Sequence, residues 1–212
     1  MPIAHVNENA DARGISDDDL ALWRKKERFF RAIAAASSEI GYANLAVADV
    51  LRYAGMSRRT FYELFEDKED CFLQAYDAAL LRIRMLVGST YHRAEQLPLR
   101  RRIELCLGEL LAICAAEPEL AHLCVVDVLA AGPVARERRD EALAEFAAFI
   151  EHPRSEARGT TAPRLVCEAI VGGLYAILYR RVARGQAAQL PSLLGEMMDA
   201  GLGQLVDADG EV

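Results

Sequence analysis

The sequence Asn44–Lys68, NLAVADVLRYAGMSRRTFYELFEDK, contains two short segments of helical periodicity separated by a glycine turn. Apolar residues recur at spacings of three and four residues from Val47 to Ala54, which is the pattern of one buried helix face. Gly55 is a typical helix stop, and Ser57 is a typical N-cap for a second helix. The pattern predicts a helix-turn-helix, whose second helix can enter the major groove of DNA.

The second short helix has two faces. Phe61 and Phe65 are four residues apart and form its predicted buried face, so Arg58, Arg59 and Tyr62 face outward. A guanidinium group can donate two hydrogen bonds to guanine, whereas hydroxyl groups and cations bind phosphates. Exposed arginines on short helix pairs also occur in proteins that do not bind DNA, so a structural role stays open at this point. The candidate DNA-binding residues are Ser57, Arg58, Arg59, Thr60, Tyr62 and Lys68.

Helical spacing of apolar residues continues along almost the whole chain, and no segment alternates with a period of two between turns. The sequence therefore predicts an all-α fold of about nine helices. The first covers about 22–40, and the fourth begins after Asp67, an N-cap residue. Glycines 41, 55, 132 and 185 are predicted helix stops. Later helices are predicted at 98–116, 118–131, 134–151, 163–184 and 190–206.

Three regions follow from this pattern. We expect a disordered acidic arm over 1–19, a helix-turn-helix DNA-binding domain over 20–66 and a larger helical domain over 67–212. Within the larger domain, the polar stretch HPRSEARGTTAP at 152–163 is predicted to be a loop.

Composition limits the classes of function. The chain has 212 residues, of which 52% are apolar and 27% charged, so it can bury a core without disulfides or metal. Five scattered cysteines without a C-x-x-C motif predict neither a disulfide framework nor a zinc site. There is no signal-peptide pattern and no apolar run of membrane-spanning length. We therefore expect a cytoplasmic protein with no membrane association.

The net charge of −7 argues at first against DNA, because neutralised phosphates supply most of the affinity for it. The charge is unevenly distributed, however. Residues 20–70 carry nine bases and eight acids, whereas the segments before and after them are acidic. The region that contains the predicted helix-turn-helix is thus the least acidic part of the chain.

Residues 29–73 resemble the DNA-binding domain of TetR-family transcriptional regulators. That family joins an N-terminal three-helix DNA-binding domain to a larger helical domain for ligand binding and dimerisation, as this chain is predicted to do. The resemblance implies that Tyr62 and Lys68 bind phosphates and that Arg58, Arg59 and Thr60 lie near bases. The residues that carry the resemblance are Gly41-Tyr42, Val47-Ala48-Asp49-Val50, Ala54-Gly55-Met56-Ser57, Thr60-Phe61-Tyr62, Phe65 and Asp67-Lys68-Glu69.

The resemblance also implies a function and partners. It predicts a homodimer, formed through the last two helices, that binds double-stranded DNA at a palindromic operator. The regulator is expected to be a repressor that an unknown small-molecule effector releases from its operator.

Three positions depart from the family's pattern. Ala46 stands where a threonine usually caps the second helix, and Asn44 is the alternative cap here. Arg59 replaces a frequent glycine and adds a cation close to the groove. Leu64 replaces a frequent histidine, and we expect it to be a core residue.

A small-molecule site is predicted in the larger domain. Helix 118–131 is apolar almost all round, as a helix inside a bundle would be, and it carries His122 and Asp127. Tyr175 and Tyr179 lie four residues apart on another helix. These four residues are the candidate ligand contacts, although His122 and Asp127 are also explained as hydrogen-bonded core residues.

Other classes of function have less support. No G-x-S-x-G, phosphate-binding loop or H-E-x-x-H motif is present, so we expect neither an enzyme nor a cofactor. The four histidines form no metal-ligand spacing, so no metal is expected either. A helical binding module that has lost DNA binding is the remaining alternative, and a salt titration of DNA affinity separates the two.

Overall fold

The computed structural model describes residues 16–158 and 164–202, which contain nine α-helices and no strand. The all-α prediction is confirmed. Three 3₁₀ segments, Tyr42–Asn44, Asp127–Leu129 and Ala187–Leu193, and a π-helical turn, Met198–Leu202, lie between or after the helices. The helices are α1 Asp17–Ile40, α2 Val47–Ala54, α3 Arg58–Leu64, α4 Lys68–Arg93, α5 Leu99–Ala116, α6 Pro118–Val125, α7 Pro133–Arg158, α8 Arg164–Val182 and α9 Leu194–Met197.

Helix α1 begins earlier than predicted. The Ser16 side chain accepts a hydrogen bond from the Asp19 amide at 3.1 Å, and the Asp19 carboxylate accepts one from the Ser16 amide at 3.2 Å. This capping box satisfies two helix-terminal donors, and the acidic first turn suits the helix dipole. Residues 17–19 therefore belong to α1 and not to an arm. The remainder of the predicted arm lies outside the described residues.

Three of the four glycines predicted as helix stops, Gly41, Gly55 and Gly185, follow helices α1, α2 and α8 with positive φ angles, so these predictions are confirmed. Gly132 also has a positive φ angle, but it lies directly before α7, because α6 already ends at Val125. At Gly55 the backbone adopts the left-handed helical conformation, with φ 58° and ψ 39°. Glycine adopts this conformation without steric cost, which allows α2 to end and the chain to turn into α3.

Three predicted helix boundaries are wrong. The predicted helix 118–131 breaks at Val126. The Tyr175 hydroxyl donates a hydrogen bond to the carbonyl of Val125, which gives this carbonyl at the end of α6 a partner outside the helix. Helix α7 continues through residue 158, because glutamate, alanine and arginine are good helix formers even in a polar stretch. The predicted helix 190–206 is replaced by short 3₁₀, α and π segments, as Pro191 cannot donate an α-helical hydrogen bond. Residues 159–163 and 203–206 lie outside the described part of the chain.

The core of the N-terminal helices is aromatic. Phe29 of α1 has no exposed surface, and its ring lies 5.5 Å from that of Phe61 and 5.6 Å from that of Phe65, both edge to face. The same buried cluster continues through Phe72 of α4 to Leu123 of α6. Helix α1 is thus packed against both the helix-turn-helix and the larger helical part.

No single helix within residues 16–158 and 164–202 is long and apolar enough to cross a membrane. The segments Pro118–Leu129 and Pro133–Glu151 reach that length and composition only as a pair, and the pair is bent by 114°.

Replacement of Phe29 by alanine is expected to lower the free energy of unfolding by about 3–5 kcal/mol, because it removes a fully buried ring from the aromatic cluster. Leu22→Ala on the same helix is the control, since that side chain is 45% exposed and its loss should cost only about 0.5 kcal/mol. Urea unfolding followed by circular dichroism measures both values. Equal losses for the two variants would contradict the central position of Phe29.

Candidate nucleic-acid interface and ligand cavity

The N-terminus of α3 is fixed by its cap. The Ser57 side chain accepts a hydrogen bond from the Thr60 amide at 3.1 Å, and the two hydroxyl oxygens lie 2.9 Å apart. Phe61 is fully buried beneath this turn, so its neighbours face away from the core. Tyr62 is 51% exposed on that outer side.

The two arginines of α3 are both exposed but differ in their partners. Arg59 donates from Nε to the carboxylate of Glu63 at 2.8 Å, one helical turn along. Among the described residues, no acidic side chain is paired with Arg58. The Arg58 guanidinium is therefore available to a base, whereas that of Arg59 is oriented by an exposed ion pair of small energetic value.

Lys68 lies in a different environment from that of a free surface cation. Its ammonium group donates hydrogen bonds to the carbonyls of Tyr42 at 3.0 Å and Leu45 at 2.7 Å. It also lies 4.2 Å from the centre of the Tyr42 ring. Burial lowers the pKa of Lys68, and burial raises that of Tyr42 to about 12. Lys68 thus connects the start of α4 to the segment before α2, and its phosphate contact stays a prediction.

The start of α2 is not capped by Asn44, the alternative cap that the sequence predicts. The Asp49 carboxylate accepts a hydrogen bond from the Ala46 amide at 3.1 Å, which lowers the pKa of Asp49. Asn44 instead points its amide nitrogen at the carbonyl of Ile40, 3.4 Å away, so Asn44 is not the replacement cap. Leu64, at the end of α3, packs against the core as expected.

Helices α4 to α8 enclose a cavity of about 160 Å³. Its wall consists mostly of aliphatic and aromatic side chains and three thiols, together with the charged side chains of Glu117 and Arg139. The charged side chains in it are already paired: Glu117 accepts from Arg82 at 2.7 Å, and Arg139 donates to Asp140 at 2.9 Å. The cavity therefore favours an uncharged, apolar group. Representative lining residues are Leu107, Leu110, Leu143, Phe146, Phe149 and Leu174.

Of the four predicted ligand contacts, the structure places one in the wall of this cavity. Tyr175 lines it, beneath the guanidinium of Arg139, which lies 5.1 Å from the ring centre. His122, Asp127 and Tyr179 are not part of its wall. The carboxylate of Asp127 is bound to side chains on the opposite side of α6, and Tyr179 is exposed on α8.

The three thiols of the cavity wall are those of Cys106, Cys114 and Cys124. Burial raises the pKa of Cys106 and of Cys114 to about 11, and it raises that of Cys124 as well. Thiols in such surroundings stay protonated and behave as small apolar groups. Their contribution to the cavity is a soft apolar surface.

Sequence reasoning missed most of the cavity wall. Arg139, Phe146 and Phe149 gave no signal, because α7 is a largely polar helix whose inner face becomes distinct only when its neighbours are known. Ser37 did give a signal, since it is a polar residue within the apolar face of α1. That signal had no interpretation without the position of Asp127.

A family model described as "Bacterial regulatory proteins, tetR family" matches residues 26–75, which contain most of α1, all of α2 and α3, and the start of α4. This N-terminal segment of the chain is therefore similar to the DNA-binding domain of that family. The members of that family are non-enzymatic DNA-binding transcription factors. No curated protein matches the sequence of the chain.

Solved structures of this TetR-family fold extend over most of the chain. The fatty acid degradation regulator FadR from Bacillus halodurans is 19% identical with a TM-score of 0.75, and covers 84% of this chain and 95% of its own. FadR from Bacillus subtilis, in complex with stearoyl-CoA, is 18% identical with a TM-score of 0.69, and the match covers 85% of this chain and 97% of that protein's chain. A TetR-family regulator from Marinobacter aquaeolei is 17% identical with a TM-score of 0.61, and the match covers 82% of this chain and 94% of that protein's chain. At these identities the likeness shows a common fold.

Proposed function

We propose that the chain is a TetR-family regulator, a dimeric, sequence-specific repressor whose affinity for its operator is lowered by an apolar small molecule. The observation that carries the proposal is the exposed face of α3. Arg58 and Tyr62 lie on this face, the buried Phe61 lies on the other, and Ser57 caps the start of the helix. The proposed DNA-binding domain ends near residue 66, and α4 begins the ligand-binding domain.

Each group on α3 has a distinct role in the proposal. Arg58 reads a guanine, since two of its N–H groups can reach O6 and N7. Arg59, Thr60 and Ser57 lie at the same end of the helix and add hydrogen bonds to bases or phosphates. The Tyr62 hydroxyl donates to a phosphate. Arg24, Lys25 and Arg28 are exposed on α1 and supply further positive charge close to the DNA backbone.

Dimerisation is proposed through α8. Leu165 is 74% exposed, and Val166 and Tyr179 also expose much of their apolar surface. Side chains added at Gly172 and Gly173 would meet nothing, so another helix can approach closely there. Over residues 190–202 the predicted partner helix is replaced by short helical segments, and Leu190, Met197 and Met198 are buried within the chain. A two-fold dimer places two recognition helices on a palindrome.

The effector is proposed to carry an apolar group into the cavity. Its volume is close to that of an engineered cavity of about 150 Å³ that binds benzene. A benzene-sized group or a short alkyl chain therefore fits without rearrangement. The likeness to a FadR that holds stearoyl-CoA supports an acyl chain, and a chain of that length requires the cavity to widen.

Selection of duplexes from a random DNA pool tests the proposal. We expect enrichment of a palindrome bound by two copies of the chain, with an affinity that falls by about a thousandfold between 50 and 200 mM salt, because many phosphates are neutralised. A shuffled duplex is the control. Equally weak binding to both duplexes would instead support the alternative, a helical binding module without DNA recognition.

Arg58→Ala is expected to weaken operator binding by about 1–3 kcal/mol and to relax the preference at one base position. The physical reason is the loss of a bidentate contact to a base edge. Arg31→Ala is the matched control, because Arg31 is exposed on α1 and paired with Glu27. Affinity measured on the selected duplex and on its single-base variants checks both. An unchanged base preference in Arg58→Ala would remove this residue from base reading.

Straight-chain carboxylic acids of increasing length and stearoyl-CoA are suitable effector probes. A probe that fits is expected to stabilise the fold by about 2.7 kcal/mol at a hundred times its dissociation constant and to weaken operator binding. Ala142→Leu should reduce both effects, since Ala142 is a buried part of the cavity wall. Ala144→Leu, exposed on the same helix, is the control. Equal responses of the two variants would place the probe elsewhere.

A further inference from the structure

Helix α5 begins with three consecutive arginines that differ in their partners. The guanidinium of Arg100 lies 3.4 Å from the carboxylate of Asp199, and that of Arg101 lies 2.8 Å from the carboxylate of Glu104. Among the described residues, no acidic side chain is paired with Arg102. Its Nε is buried without a hydrogen-bond partner, and in the described part of the chain no other buried nitrogen or oxygen of a partly or fully buried side chain lacks one.

The guanidinium of Arg102 is held in place by an aromatic ring. Its Cζ lies 3.6 Å from the centre of the Tyr91 ring on α4, a separation typical of arginine stacked on an aromatic face. Tyr91 is itself packed edge to face against Phe149 of α7, with the ring centres 5.0 Å apart. The N–H groups of a guanidinium point outward in its plane, so stacking on its face fixes the group without using its donors.

Arg102 borders one end of the cavity. Ile103 follows it directly, Cys106 lies one helical turn further along, and both belong to the cavity wall together with Val87 and Phe149. Burial raises the pKa of Cys106 to about 11, and the positive charge of Arg102 lowers this pKa in part, which requires the two groups to be close. The part of the wall formed by Val87, Ile103, Cys106 and Phe149 is called the Arg102 end below.

The cavity extends away from the Arg102 end along α4. Its wall includes residues of this helix from Val87 back to Tyr76, and eleven residues of an α-helix cover about 16 Å. The two charged side chains of the wall, Glu117 and Arg139, have partners of their own. An unbranched chain that lies along α4 therefore contacts apolar surface over its length, and the unpaired cation is at the Arg102 end.

The unsatisfied donor indicates which chemical group binds there. A buried N–H without an acceptor is costly, and such groups in proteins are normally bonded to ordered water or to a ligand. A carboxylate matches the donors of a guanidinium best, because two parallel charge-assisted hydrogen bonds form at once. Since Nε is closed to bulk solvent, its acceptor has to approach from the interior, and the cavity is the neighbouring interior space.

We propose that Arg102 binds the carboxylate of a straight-chain carboxylic acid whose alkyl chain occupies the cavity. Nε and one terminal nitrogen of the guanidinium donate to the two carboxylate oxygens, while Tyr91 holds the guanidinium in this orientation. Arg102 thus selects an acid over an alcohol of the same length. The inference rests on the proposed function and specifies the chemical class of its effector.

Calorimetric titration of the full chain with octanoate and octan-1-ol at neutral pH tests the proposal. The two probes have alkyl chains of the same length and differ in the charge of the head group. We expect the native chain to bind octanoate at least about tenfold more tightly than octan-1-ol, because hydrogen bonds between charged groups are the strong ones. In Arg102→Gln the two dissociation constants are expected to become equal within about twofold, through loss of affinity for octanoate alone.

Arg101→Gln is the matched control, because Arg101 is the exposed, paired neighbour on the same helix and its loss must leave the preference for octanoate unchanged. Arg102→Lys keeps the charge without the planar fork and should keep part of the preference. This variant also keeps the test decisive if Arg102→Gln does not fold. An unchanged preference in both Arg102 variants, or no preference for octanoate in the native chain, would overturn the proposal.

Octanoyl-CoA separates the carboxylate from other anionic groups, since it carries phosphates and a thioester in place of the carboxylate. A loss of affinity in Arg102→Gln that is confined to octanoyl-CoA would also overturn the carboxylate assignment.

Operator binding distinguishes a failure of this inference from a failure of the proposed function. A chain that prefers octanoate through Arg102 but binds no operator lacks the proposed function and keeps the carboxylate site. A chain that octanoate and octan-1-ol release equally well from its operator, with or without Arg102, keeps the proposed function and refutes the carboxylate site.

Discussion

Burial of one face of α1 is the interaction on which the rest of the structure depends. Phe29 packs against Phe61 of α3 and against Phe65, the C-cap residue of α3. Ser37, two turns later on α1, donates a hydrogen bond to Asp127, which follows α6. A single helix therefore contributes both to the core of the helix-turn-helix and to the contact with the larger helical part. Because the two contacts are on the same helix, neither can move far without affecting the other.

The cavity has a consistently apolar chemistry. Its acidic and basic side chains are paired with each other or with neighbours, so the interior offers apolar surface and a few protonated thiols. Affinity for a ligand then comes from buried apolar area, which constrains size and shape more than exact functional groups. The polar groups near it, above all Tyr175, are bonded to the backbone of α6, so a ligand that disturbs them also disturbs the helix.

Lys68 illustrates how far a motif can predict a role. The residue type and position match a DNA-binding pattern, yet its ammonium group is bound to the carbonyls of Tyr42 and Leu45. Asp127 illustrates the reverse case. A polar residue in an apolar helix predicted either a ligand contact or a structural hydrogen bond, and in the structure its carboxylate is hydrogen-bonded to Ser37. In both cases the deciding partner lies more than twenty residues away in the sequence.

Local patterns in the sequence determined the all-α fold, the two helices around Gly55, the burial of Phe61 and Phe65 and the helix stops at Gly41, Gly55 and Gly185, because periodicity, capping and positive φ depend on neighbouring residues. The same patterns placed Arg58, Arg59 and Tyr62 on the outer face of α3. Only the tertiary structure decided the break after Val125, the wall of the cavity and the pairing of Ser37 with Asp127. These features depend on contacts between residues as much as 90 positions apart, and periodicity along the chain carries no information about such distances.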